Sequence, residues 1–202
     1  STQDENTISF DANNGDDVIT KSVKSGEALD YEPKSPTKSG YTFVGWYKDT
    51  DDIKTSYKNN QTYTENTTYK AKWAHIEMLG AQGKRVVNDK SGIRFGTKIY
   101  NDGDEIVEKG TLIIPANLLK DGESLTLDTE NIAKSVAKYI YEVNKNENYD
   151  IYLGTIVNIP REQFDRKMTA SSYVIYKDKS GNKYTVYSPY KNTSISVNDL
   201  IK

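Results

Sequence analysis

Alternation is what most restricts how this chain can fold. Tyr69, Ala71 and Trp73 alternate with Lys70 and Lys72, which gives a strand one apolar and one cationic face. Ile8 and Phe10 alternate with polar neighbours ahead of Asn13-Asn14-Gly15-Asp16-Asp17, a cluster of turn formers. Near the other end, residues 173–177 and 183–187 flank Asp178-Lys179-Ser180-Gly181-Asn182 and read as a hairpin. Short segments of period two, separated by turn residues, lead to sheets rather than to a helical bundle.

Further strands follow from the same logic. Residues 18–23 read as a second, polar-faced strand, and Pro33 and Pro36 punctuate a loop. The stretch 48–60 has no apolar cluster and reads as surface loop. Residues 76–87 and 92–100 are strand-like across a turn at 88–92. Residues 110–115 form an apolar run ended by Pro115, as in a buried strand, and 149–159 form a strand ended by Pro160. One segment fits two patterns. Ile132, Val136, Ile140 and Val143 fall at helical spacing, whereas Tyr139-Ile140-Tyr141 has strand composition.

Composition removes several chemistries. Hydrophobic residues make up 35% of the 202 residues, below the roughly 45–50% typical of soluble domains on a count that includes Gly. Sixteen tyrosines nevertheless argue for a folded chain, because disordered segments are poor in aromatics. With no Cys there is no disulfide, thiolate nucleophile or thiolate-bound metal, and the lone His75 cannot build a multi-histidine site. A net charge of -2 gives no reason to expect nucleic acid as a partner. No window reaches the ~20 apolar residues of a membrane-spanning helix. A start at Ser1, without Met or a leader-like stretch, is what a segment of a longer chain would show.

The charge balance shifts along the chain. Residues 1–75 hold nine lysines against twelve acids, and the remainder holds eighteen basic against seventeen acidic residues. Two domains are therefore expected, 1–74 and 75–202, with Ala74-His75 as a short joint.

The first half carries a family pattern. Ile8-Ser9-Phe10-Asp11-Ala12-Asn13-Asn14-Gly15, then Gly26, Pro36, Gly40-Tyr41-Thr42-Phe43-Val44-Gly45-Trp46-Tyr47 and Thr68-Tyr69-Lys70-Ala71-Lys72-Trp73 resemble the Listeria–Bacteroides (internalin-B-type) repeat of bacterial surface proteins. The resemblance covers about residues 6–73, in a single copy, and departs at Asn14, where the family has the first of two glycines. It implies a small β-grasp-like, extracellular module without catalytic residues. Trp46 and Trp73 are expected to pack together in its core, and Gly40 and Gly45 mark positions for a bulge or close backbone approach.

The second half resembles an accessory domain of large secreted proteins of Gram-positive gut bacteria. The residues concerned are Leu79-Gly80-Ala81-Gln82, Gly92-Ile93-Arg94-Phe95, Gly110-Thr111-Leu112-Ile113-Ile114-Pro115, Val157-Asn158-Ile159-Pro160 and Ala170-Ser171-Ser172-Tyr173. That resemblance implies a location and no activity. The fold class expected overall is mainly β: a β-grasp-like repeat followed by a β-sandwich or jelly-roll-like domain.

Most candidate sites have an ordinary structural alternative. Asp11 to Asp17 has some likeness to a calcium loop, but Gly15 and Asp16 stand in the wrong order and the twelfth position is Ser22, which favours an ordinary turn. Acid pairs for sugar hydrolysis lie in polar runs such as Asp102-Gly103-Asp104-Glu105, where nothing apolar would raise a carboxyl pKa. His75 has no serine motif beside it, and Arg94, if inward, needs a carboxylate. No catalytic residue, metal site or cofactor is expected. Aromatic density peaks at the C-terminal hairpin, in Tyr173, Tyr176, Tyr184, Tyr187 and Tyr190. One subset should fill the core and the other face solvent, which makes Tyr176, Tyr187 and Tyr190 the candidate ligand-binding residues.

The expectation is a non-enzymatic segment of a bacterial cell-surface or secreted protein, serving structural display or adhesion. Its partner would be a host or cell-wall protein or glycan, with no nucleic acid and no membrane insertion. The alternative is a carbohydrate-binding accessory module of an extracellular polysaccharide-degrading protein.

Overall fold

A computed structural model describes residues 4–87 and 89–201, with the backbone alone for 84–87; Asn88 of the expected 88–92 turn lies outside the described residues. The chain divides into two compact units, Ser1–Ala74 with Lys177–Tyr184, and His75–Tyr176 with Thr185–Lys202. Each is built from strands.

In the first unit, β1 (Glu5–Asp11) pairs antiparallel with β2 (Ile19–Lys24) and parallel with β6 (Thr67–Ala74), which pairs antiparallel with β4 (Thr42–Tyr47). The result is a mixed sheet of order β2-β1-β6-β4, beside a two-stranded pair of β3 (Ala28–Leu29) and β5 (Gln61–Thr62). Alternation is visible in β1, where Asn6, Ile8 and Phe10 are buried and Glu5 and Thr7 exposed. Phe10 is the hub of the core. Its ring meets Tyr31, Trp46 and Tyr57 edge-on and stacks on Tyr69. Such pairs contribute beyond the area they bury.

The two tryptophans share this core through an intermediary. Phe43 meets Trp46 at 5.5 Å and Trp73 at 5.6 Å between ring centroids. The bulge expected near Gly45 is present, because the β4–β6 register shifts between Phe43 and Gly45. A Cβ at Gly45 would lie 3.0 Å from the Tyr47 ring. The 48–60 stretch is loop with one 3-10 turn at Ile53–Thr55, yet Tyr57 within it packs against the core and donates its hydroxyl to Tyr31 O. A single aromatic in a polar run is enough to pin that loop inward.

In the second unit, β7 (Ile76–Val87), β8 (Lys90–Tyr100), β12 (Tyr149–Pro160) and β11 (Glu142–Asn144) form a sheet of order β11-β12-β8-β7. A second sheet runs β10-β9-β13-β14, from β9 (Glu105–Pro115), β10 (Ala133–Val136), β13 (Met168–Lys177) and β14 (Lys183–Pro189). Ile93 and Phe95 from the first sheet pack with Ile113, Met168 and Ala170 from the second, together with Tyr190 and with Val197 of the short helix α1 (Val197–Leu200). This is a sandwich-like arrangement with its core between the sheets.

Where β12 faces β9 across the sandwich, glycine is a steric necessity. A Cβ on Gly154 of β12 would stand 2.2 Å from the Thr111 side chain of β9. The interior there is partly polar. Thr97 and Ser172 share a hydrogen bond between their hydroxyls, and the buried Tyr152 hydroxyl donates to Gly110 O at 3.1 Å. Burial pushes the Tyr152 phenol well up. Within 132–143, whose pattern fits both helix and strand, two short strands form, β10 and β11, with 137–141 between them.

Candidate functional site

The tyrosines singled out by the sequence are largely committed to packing. Tyr176 and Tyr190 are buried at 4% and 7% exposure, and Tyr190 meets Phe95 edge-on. Tyr187 is half-buried and its hydroxyl accepts from Leu127 N–H at 3.2 Å. The expected solvent-facing subset does not materialise, for a non-local reason. One face of the hairpin meets the sandwich core. The other face, carrying Tyr173 and Tyr187, is covered by Leu119, Leu125, Leu127 and Ile132 from the long connection between β9 and β10. None of the hairpin's five tyrosines is predominantly exposed.

The open tyrosines lie elsewhere. Of the sixteen, only Tyr139 and Tyr141 are predominantly exposed, at 86% and 66%. They sit on the bent segment 137–141, which joins the edge strand of one sheet, β10, to the edge strand of the other, β11. Its ends are pinned: Ala137 N–H donates to Lys109 O at 2.9 Å and Tyr141 N–H to Ile151 O at 2.8 Å. On either side of it, β10 pairs with β9 from Ala133↔Ile113 to Val136↔Gly110, and β11 pairs with β12 from Glu142↔Ile151 to Asn144↔Tyr149. Gly110 allows the close approach of β10, since a Cβ there would fall 2.3 Å from Ser135 O. A cavity of about 500 Å3 is lined by Ser135, Val136, Ala137, Lys138, Tyr139, Ile140, Tyr141 and Leu153. That volume lies within the range of small-ligand pockets.

Sequence reasoning misses this site because aromatic density is a poor guide to exposure. A usable clue is present in the chain: a helix with Ile132, Val136, Ile140 and Val143 on one face leaves Tyr141 off that face, and a strand sets Tyr139 and Tyr141 opposite Ile140, so on either pattern an aromatic lies off the apolar face.

The remaining candidates are occupied structurally. In the acidic turn, Asp11 Oδ1 accepts from Asn13 N–H and Asn14 Oδ1 from Asp16 N–H, so these side chains build the turn itself. Among the described residues no group of three or more His, Asp or Glu is placed to hold a metal ion. His75 stacks on Tyr100 at 3.5 Å and lies 2.8 Å from an Asp102 carboxylate oxygen through Nδ1. Arg94 lies on the strand face opposite the fully buried Ile93 and Phe95, and its Nε is buried without a hydrogen-bond partner among the described residues. Among the described residues no carboxylate pairs with Arg94, whose place opposite Ile93 and Phe95 turns it away from the core rather than inward. No helix among the described residues is long and apolar enough to cross a membrane.

A mixed sheet with a parallel central pair, followed by a sandwich of antiparallel sheets, defines a mainly β protein. Within it, residues 7–72 are a Listeria–Bacteroides repeat domain, a module found in bacterial surface proteins. The chain also has a distant likeness to a Ribosomal protein L11 methyltransferase of Acetivibrio thermocellus. The two are 24% identical over 184 residues, covering 75% of this chain. The chain spans 58% of that protein's length.

Proposed function

We propose that this chain is a non-enzymatic segment of a bacterial cell-surface or secreted protein, serving structural display or adhesion. The observation that carries the reading is the Listeria–Bacteroides repeat domain at residues 7–72. The disposition of chemically able side chains supports its non-enzymatic part. The single histidine is engaged with Tyr100 and Asp102, and inside the sandwich the Thr97, Ser172 and Tyr152 hydroxyls are hydrogen-bonded. Its partner is a host or cell-wall protein or glycan. A second reading, a carbohydrate-binding accessory module of an extracellular polysaccharide-degrading protein, is favoured by the two open phenol rings over a cavity.

Brief trypsin treatment of intact cells of the source bacterium tests the location. Peptides of this chain in the shaved fraction or the culture medium are the expected result. Peptides released only after lysis would overturn it.

A further inference from the structure

The cavity beside residues 137–141 gives the adhesion reading a ligand class, and its assignment rests on that reading. We infer that it is a binding site for a neutral saccharide, with Tyr139 and Tyr141 as stacking platforms. The first argument is cost. Large apolar rings in water lose the stabilisation that burial supplies. This chain covers its other tyrosines at least in part and leaves these two open on a segment tied down at both ends. Among the described residues neither phenol has a hydrogen-bond partner, and neither ring packs on another aromatic. A ring held on a pinned segment needs little further ordering when a ligand arrives.

The chemistry of the lining selects the ligand. A pyranose presents an apolar face of C–H groups and a rim of hydroxyls, so it needs a flat aromatic surface with hydrogen-bonding groups at its edge. Tyr139 and Tyr141 supply the rings, and Ser135, Lys138 and the phenol hydroxyls supply donors and acceptors. Lys138 is the only charged residue in the lining, while the nearby Lys134 is already paired with Glu108 at 3.3 Å. An anionic polymer would ask for several free cations at once. A peptide added to the sheet edge fits less well, because β10 has four residues, β11 has three, and the bent segment interrupts them.

The test uses the full chain and a panel of cellotetraose, mannotetraose, galactotetraose and chitotetraose, read by calorimetry and by shifts of the tyrosine ring resonances. At least one member should bind with two tyrosine rings perturbed. Tyr139→Ala and Tyr141→Ala should each weaken binding about tenfold or more, while Tyr139→Phe and Tyr141→Phe retain most of it. Affinity should hold steady from about 50 mM to about 500 mM salt, where a charged contact would be screened. Failure of all four sugars to bind overturns the inference, as does binding that survives both alanine substitutions or falls with salt. A peptide or anionic-polymer ligand displaced from the same two rings would overturn it too. Any of these failures leaves the cell-shaving result standing, so the location and the ligand are judged separately.

Discussion

The C-terminal hairpin and the 137–141 segment both carry tyrosines, and the structure uses them in opposite ways. The hairpin holds five between residues 173 and 190, and its two faces meet the sandwich core and the connection 116–132. The 137–141 segment holds two, and both stand open beside a cavity. Crowding of aromatics along a sequence therefore reports packing demand, whereas exposure depends on whether another part of the chain reaches that face.

The contrast can be broken most forcefully at the hairpin. Tyr190→Ala and Tyr176→Ala should each destabilise the protein by about 3–5 kcal/mol, as truncation of other large buried aromatics does. Urea denaturation monitored by circular dichroism measures this, and a loss below about 1 kcal/mol would mean that the hairpin rings are not core.

A smaller effect is expected where the sheets approach. Gly154→Ala puts a Cβ 2.2 Å from the Thr111 side chain, and overpacking of that kind costs about 1–3 kcal/mol. The thermal midpoint should fall accordingly. If it does not, the sheets are further apart than the Gly154–Thr111 contact requires.

Acid should bring out a narrower dependence at the chain's end. The Lys167 ammonium and the Ser196 groups beside Asp199 hold its carboxyl down at about 2. An unfolded Asp titrates near 3.9, so the folded state is favoured by the depressed value. That contribution is present above about pH 4 and is lost as pH falls through about 2. Asp199→Asn should flatten the pH dependence of unfolding in that window, read from denaturation midpoints at stepped pH. An unchanged slope would remove the carboxylate from the account.

The smallest effect belongs to the open rings. Tyr139→Ala and Tyr141→Ala should move stability by no more than about 0.5 kcal/mol, as exposed substitutions do. Their effect should appear in sugar binding alone. A large stability loss at either residue would erase the contrast between the two regions.

Much of the fold is legible in local patterns. Period-two alternation locates β1, β6 and the β13–β14 hairpin, and Pro160 marks the end of β12. Asp178-Lys179-Ser180-Gly181-Asn182 forms the turn its composition suggests, with Asp178 Oδ1 accepting from Ser180 N–H and Asn182 N–H. Gly45, set among the aromatics of the repeat motif, marks the bulge that forms beside it. These features depend on neighbours within a few residues, where backbone sterics and turn chemistry act directly.

What tertiary structure alone decided was coverage. Tyr57 sits in a polar loop and becomes part of a core, because Phe10 and Tyr69 lie within reach. Tyr187 occupies an alternating strand and is half-covered, because Leu127 returns from sixty residues earlier. Tyr139 and Tyr141 remain open because their segment lies outermost, crossing from one edge strand to the other with nothing laid over it among the described residues. The sequence determined strands, turns and the repeat module through local sterics and periodicity. Which aromatic faces meet water was set by long-range packing, since burial belongs to the pair of surfaces that meet and not to the residues that carry them.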